Sequence, residues 1–156
     1  MKIKWKTLII CILIPLLVGG LSGLLTMRSM DLFGALNKPP LSPPAWLFPV
    51  VWTALYVLMG IASYLVIEAR AGQEQTTRAI VLYGVQLFFN FFWSIIFFNL
   101  EWYGIAFIWL LILFILVVAT TVSFFRIDKR AGYLMLPYCV WIVFAGYLNL
   151  GIAMLN

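Results

Sequence analysis

Five long uncharged stretches dominate the chain: Thr7 to Met27, Trp46 to Ile67, Ala79 to Leu100, Tyr103 to Phe125 and Gly132 to Leu155. Each meets or exceeds the ~20 residues that a helix needs to cross a ~30 Å hydrocarbon layer. Strands are a poor alternative. A barrel strand would alternate apolar and polar residues over ~10 positions, whereas these runs are apolar on every side for twice that length. The expected fold is therefore all-α, an integral membrane bundle of five transmembrane helices. The spans use nearly all of the 156 residues, so a single domain is expected over 1–156, with an external loop at 28–45. The first run follows Lys2, Lys4 and Lys6 and ends in GGLSG, as a secretory leader does. Its length exceeds the usual ~7–15 apolar residues of a leader, which favours a retained helix.

Composition agrees, with 65% hydrophobic residues, 10% charged residues and a mean hydropathy of +1.10, well outside the soluble globular range. The formal charge of +5 has an explanation other than nucleic acid. Lys2, Lys4, Lys6, Arg70, Arg78, Arg126, Lys129 and Arg130 fall on one side of a five-span arrangement, with only Arg28 and Lys38 on the other. The positive-inside pattern then places the N-terminus in the cytoplasm and the C-terminus outside, the expected setting being a bacterial cytoplasmic membrane. No nucleic-acid partner is expected. There is no histidine, so a metal cluster of His/Cys type is not expected, and Cys11 and Cys139 read as apolar filler, not as a bridge.

The connections are unequal. Only Glu101 and Trp102 separate the third and fourth spans, which forces an antiparallel hairpin. The first loop is long and holds Pro39, Pro40, Pro43 and Pro44, whose fixed φ angles favour a shaped cover over a loose tether. Gly19 and Gly23 form a GxxxG that permits close helix approach and is a candidate contact in a possible homodimer. Because the span number is odd and no repeat is visible, the inverted pairs of many transporters are not expected.

Tryptophan usually sits at the membrane interface, and Trp5, Trp46 and Trp102 fit that habit. Trp52 and Trp93 do not, because at ~1.5 Å per residue they lie about 9 and 10 Å inside their spans. Trp141 is deeper still. Each shares a helix face with polar or aromatic neighbours: Gln86, Asn90, Trp93 and Phe97 on the third span, Trp141, Ala145 and Asn149 on the fifth, and Trp52, Tyr56, Met59 and Ser63 on the second. An unpartnered carboxamide in lipid costs several kcal/mol, so Gln86, Asn90 and Asn149 are expected to point inward. Such stripes can simply join helices and fill volume. Three at one depth under a stiff loop point to a cavity for a flat, largely apolar ligand.

Three segments carry a resemblance: KPPLSPPAWLFPVVWTALYVLMG (Lys38 to Gly60), QLFFNFFWSIIFF (Gln86 to Phe98) and PYCVWIVFAGYLN (Pro137 to Asn149). They closely resemble the signature segments of the TspO family, the tryptophan-rich sensory proteins that include the mitochondrial translocator proteins, and the resemblance runs in order along essentially the whole chain. It implies a five-helix bundle, often dimeric, that binds porphyrins such as protoporphyrin IX and, in mitochondrial members, cholesterol and benzodiazepine-type ligands. Carried over by position, it marks Pro43, Trp52, Tyr56, Asn90, Trp93, Ser94, Trp141 and Ala145 as pocket or lid residues. Gln86 and Asn149 join that ligand-binding set from the helix-face reading. If the family's light-dependent porphyrin breakdown operates here, Trp52 and Trp141 are the catalytic candidates. This chain departs from the family in two places. No Lys or Arg follows Tyr147, leaving the terminal pattern of cholesterol-binding members incomplete, and Phe33 replaces a tyrosine of some relatives.

The expected function is a membrane receptor or sensor for porphyrins and related flat ligands, with no required cofactor and the porphyrin as ligand or substrate. Two alternatives stand beside it: a light- or oxidant-dependent porphyrin-degrading enzyme, and an uncoupled transporter. No charged residue lies within the five stretches, which disfavours ordinary acid–base chemistry and ion-coupled transport.

Overall fold

Long apolar runs set the helices, and polar turns end them. The computed structural model describes residues 2–156. Its elements are α1 (Trp5–Thr26), the single-turn α2 (Met30–Phe33), α3 (Leu47–Glu68), α4 (Gln73–Ser94) continuing through a π-helical turn (Ile95–Asn99), α5 (Tyr103–Ile127) and α6 (Lys129–Leu155). No strand occurs among the described residues. All five long helices are long and apolar enough to cross a membrane.

Two helices begin earlier than the apolar runs suggest. The third span starts at Gln73, not Ala79, because extended backbone at Gly72 releases the chain into helix while the sequence is still polar, and Glu74 pairs with Arg78 one turn on. The fifth starts at Lys129, not Gly132, because the Asp128 carboxylate accepts the backbone N–H of Arg130 and caps the first turn. Apolarity marks where hydrocarbon begins. Capping marks where the helix begins.

The long helices close into a ring in which α1 packs on α3, α3 on α6, α6 on α5, α5 on α4, and α4 back on α1. The expected α4–α5 hairpin is one side of it, turned by Glu101 in the left-handed region at φ 56°. Glycine sets the tightest approach. A Cβ on Gly60 of α3 would stand 2.6 Å from Ile12 Cα and 2.7 Å from the Cys11 carbonyl oxygen of α1. Pro15 lies four residues after Cys11 and has no N–H to give that carbonyl, so Gly60 packs against the one oxygen the proline leaves without its helical donor.

The two ends of the ring are held differently. At one end lie the ion pairs Lys4–Glu68 (3.0 Å), Arg78–Glu74 and Arg130–Asp128 (2.9 Å). At the other, neutral hydrogen bonds tie the 28–45 loop down. Ser29 donates to the Asn99 side chain (2.6 Å), Asn99 to the Leu25 carbonyl (3.0 Å), and Tyr147 to the Pro40 carbonyl (2.7 Å), while Asn37 and Asn156 exchange two bonds. Pro39 sits where Gly151 lacks a side chain. The expected shaped cover is therefore a strapped lid, and it includes a short helix, α2, that the proline pattern did not suggest. Both cysteines are free.

Candidate functional site

Beneath this lid the ring encloses a cavity of about 570 Å³, within the ~300–1,000 Å³ that encloses drug-sized ligands. Its lining comes from α1, α2, the start of α3, the end of α4 with its π turn, and α6. None of the lining residues is Asp, Glu, Lys or Arg.

Two aromatic groups form the walls. On one side Trp52 stacks on Tyr56 (centroids 5.6 Å apart, 26° between planes) and meets Tyr138 and Trp141 edge-on at 6.1 and 6.3 Å, and Phe48 packs on Trp141 at 5.9 Å. On the other, Trp93 stacks on Phe97 (5.2 Å, 26°) with Phe98 against both. Phe33, only 4% exposed, joins the groups from above through contacts with Phe48 and Phe98. Its position follows from α2, which turns the Phe33 ring down, and from Lys38, whose ammonium lies 4.9 Å over the outer face of that ring. The π turn matters on the opposite wall. Phe97 and Phe98 both lie in the widened turn after Ser94, and both reach the lining.

A chain of neutral hydrogen bonds forms the floor. The Tyr56 hydroxyl donates to Asn90 Oδ1, Asn90 Nδ2 donates to the Tyr138 hydroxyl, and that hydroxyl donates to Gln86 Oε1, each at 2.7 Å. Gln86 Nε2 then reaches the Met59 sulfur at 3.9 Å. At the far side Trp93 Nε1 donates to Asn149 Oδ1 (3.1 Å), and Asn149 Nδ2 donates to the Tyr103 carbonyl (2.8 Å). Every amide is thus satisfied without a charge, as a water-free membrane interior requires. Trp141 Nε1 is buried and has no partner.

Of the residues expected to bind ligand, Trp52, Tyr56, Trp93, Ser94, Trp141, Ala145 and Asn149 line the cavity. Gln86 and Asn90 do not. They lie behind Tyr56, buried at 0% and 2% exposure, so any part they play is through that ring. Pro43 is in the lid but outside the lining. Other contributors went unnoticed in the sequence. Tyr138 links the two amides of α4, and its place three residues before Trp141, on the same helix face, was the available signal. The α1 wall of Gly19, Gly20, Ser22 and Gly23 carried none beyond the GxxxG. Gly19 faces the Tyr56 ring, and Gly23 lines the cavity while remaining exposed on the outer surface. Trp109 is structural, stacked on Phe89 and donating to its carbonyl at 2.7 Å.

Comparison with known proteins gives a consistent result. The family model described as TspO/MBR matches residues 11–155. A tryptophan-rich protein TspO of Chlorobaculum tepidum is 36% identical over 151 residues, 96% of each chain. A tryptophan-rich sensory protein of Cereibacter sphaeroides is 35% identical over 83% of this chain and 80% of its own. The human translocator protein is 36% identical over 75% and 70%.

Proposed function

The chain belongs to the TspO/MBR family of membrane proteins, and from that premise we propose that it is a receptor or sensor that binds porphyrins of the protoporphyrin IX type. The observation that carries the proposal is the uncharged cavity of about 570 Å³ whose opposite walls are stacked aromatic pairs. A flat macrocycle buries its apolar faces against such walls, gaining roughly 25 cal/mol per Å² removed from water, and indole and phenol rings add stacking. Its carboxylates cannot be neutralised inside, since the lining holds no cation. They are directed to the loop end, where Arg28 and Lys38 are the basic residues.

With no charged side chain in the lining, the protein's contribution is shape, stacking and exclusion of water. Trp52 and Trp141 present ring surface, Ser94 and Asn149 mark the polar edge, and the Tyr56–Asn90–Tyr138–Gln86 chain holds the floor rigid behind Tyr56.

Titration of the purified protein with protoporphyrin IX in dim light tests this. Tryptophan fluorescence should be quenched saturably, and Trp52→Phe combined with Trp141→Phe should weaken binding about tenfold, the equivalent of ~1.4 kcal/mol. Quenching that rises without saturation, and equally in the double variant, would refute the proposal.

A further inference from the structure

Phe33 roofs the cavity, and the exposed lining residues all lie along the α1 and α3 sides, from Gly20 and Gly23 to Met27 and Ala45 beside the loop. The buried roof is strapped at one edge by Ser29 and Asn99 and at the other by Asn37, Asn156 and the Tyr147–Pro40 bond. Between α1 and α3 the situation is reversed. The two helices touch backbone to side-chain-free backbone at Gly60 and remain close at Gly19, which lies against the Tyr56 ring. Towards the loop end they diverge. A Cβ added at Gly20 or Gly23 would meet nothing within 4 Å, and both glycines line the cavity while being exposed on the outside of the bundle. Across the gap, Trp46, Pro49 and Thr53 of the α3 end also line the cavity and are exposed. Cavity and outer surface are therefore continuous through this seam.

The chemistry of the seam suits hydrocarbon. Thr53, its exposed hydroxyl, donates to the Pro49 carbonyl at 2.7 Å, and Thr26 just inside donates to the Ser22 carbonyl at 2.9 Å. Neither hydroxyl offers lipid an unpaired donor. No charged residue flanks the opening among the cavity-lining residues, whereas Lys38 stands over the roof. A water-borne route would have to unseat Phe33 and break the straps, while a lipid-borne one meets two bare glycines.

We propose that the α1–α3 seam at Gly20 and Gly23 is a lateral portal, and that the flat, largely apolar ligand enters and leaves through it from the bilayer. The inference rests on the binding reading above, adding to it the phase from which the ligand comes. Trp46, 67% exposed at the rim, is the first ring such a molecule would meet.

The test uses the full chain reconstituted in phosphatidylcholine vesicles, with protoporphyrin IX supplied in donor vesicles and tryptophan quenching followed over time. Gly20→Leu with Gly23→Leu should slow both association and dissociation about tenfold. Slower release is the discriminating readout, because a variant that merely loses contacts with the ligand releases it faster. Gly84→Leu, on an exposed position of α4 outside the cavity lining, should leave both rates unchanged. Closing the lid covalently through cysteines at Ser29 and Asn99 should also leave them unchanged. Unaltered release from the glycine variant, or exchange slowed only by the lid cross-link, would overturn the portal while leaving binding intact. If the double variant fails to fold, Gly23→Leu alone carries the same prediction. No saturable binding by the unaltered chain would sink the binding reading and the portal together.

Discussion

Asn90 shows how much a single neutral side chain can hold. Its amide accepts from Tyr56 and donates to Tyr138, joining α3, α4 and α6 at one point, with 2% exposure. Interhelical hydrogen bonds in membranes average only ~0.6 kcal/mol, because the separated helices find other partners. Here removal leaves the buried Tyr56 hydroxyl without its acceptor and takes one of two partners from Tyr138, which keeps its bond to Gln86, and the desolvation of the unpaired hydroxyl dominates. Asn90→Leu should therefore lower stability by about 1–2 kcal/mol, read as an earlier thermal unfolding midpoint in detergent; an unchanged midpoint would mean the chain is incidental. Asn90 was legible in the sequence because a carboxamide has few places to go in hydrocarbon. Tyr138 was not, since a tyrosine in an apolar helix is equally at home at the interface or in the core, and only packing separates the two.

Among the elements, α6 depends most visibly on a residue outside the membrane. Asp128 caps its first turn, and the Arg130 guanidinium hydrogen-bonded beside it holds the carboxyl below the ordinary aspartate value of 3.8. A carboxyl depressed in the folded state stabilises it fully above the ordinary value, and that contribution fades as pH falls below it. Asp128→Ala should cost about 0.5–2 kcal/mol near neutrality, as loss of a cap does, and the gap between variant and parent should shrink in acid. A gap independent of pH would show that the charge is irrelevant. The helix ends were the least readable part of the sequence for this same reason: hydropathy reports the membrane, while the start at Lys129 is set by one carboxylate. The π turn at Ile95–Asn99 was similarly hidden, because nothing in IIFFN distinguishes a widened turn from a regular one. The proline-rich loop was legible as a cover, though its straps depend on Asn99, Tyr147 and Asn156, residues distant in sequence.

At the scale of the whole molecule, the membrane class and the five helices followed from length and apolarity, with physics leaving no alternative in lipid. The order of the ring did not follow, since α1 and α5 are apolar on every side and show no face to match to a neighbour. Three stripes at a common depth nevertheless located the cavity, because Trp52, Trp93 and Trp141 are too deep for interface anchors and converge beneath the lid. What the stripes could not reveal was the glycine side of the cavity, a wall defined by missing side chains. The central claim is that the stacked aromatic walls receive a flat tetrapyrrole, and a structure of the chain with protoporphyrin IX, obtained in dim light, tests it most directly. The account predicts the macrocycle inside the ring, between the Trp52–Trp141 wall and the Trp93–Phe97 wall, with its carboxylates towards the loop end. A porphyrin found only on the outer surface of the bundle, with the cavity unchanged, would contradict it.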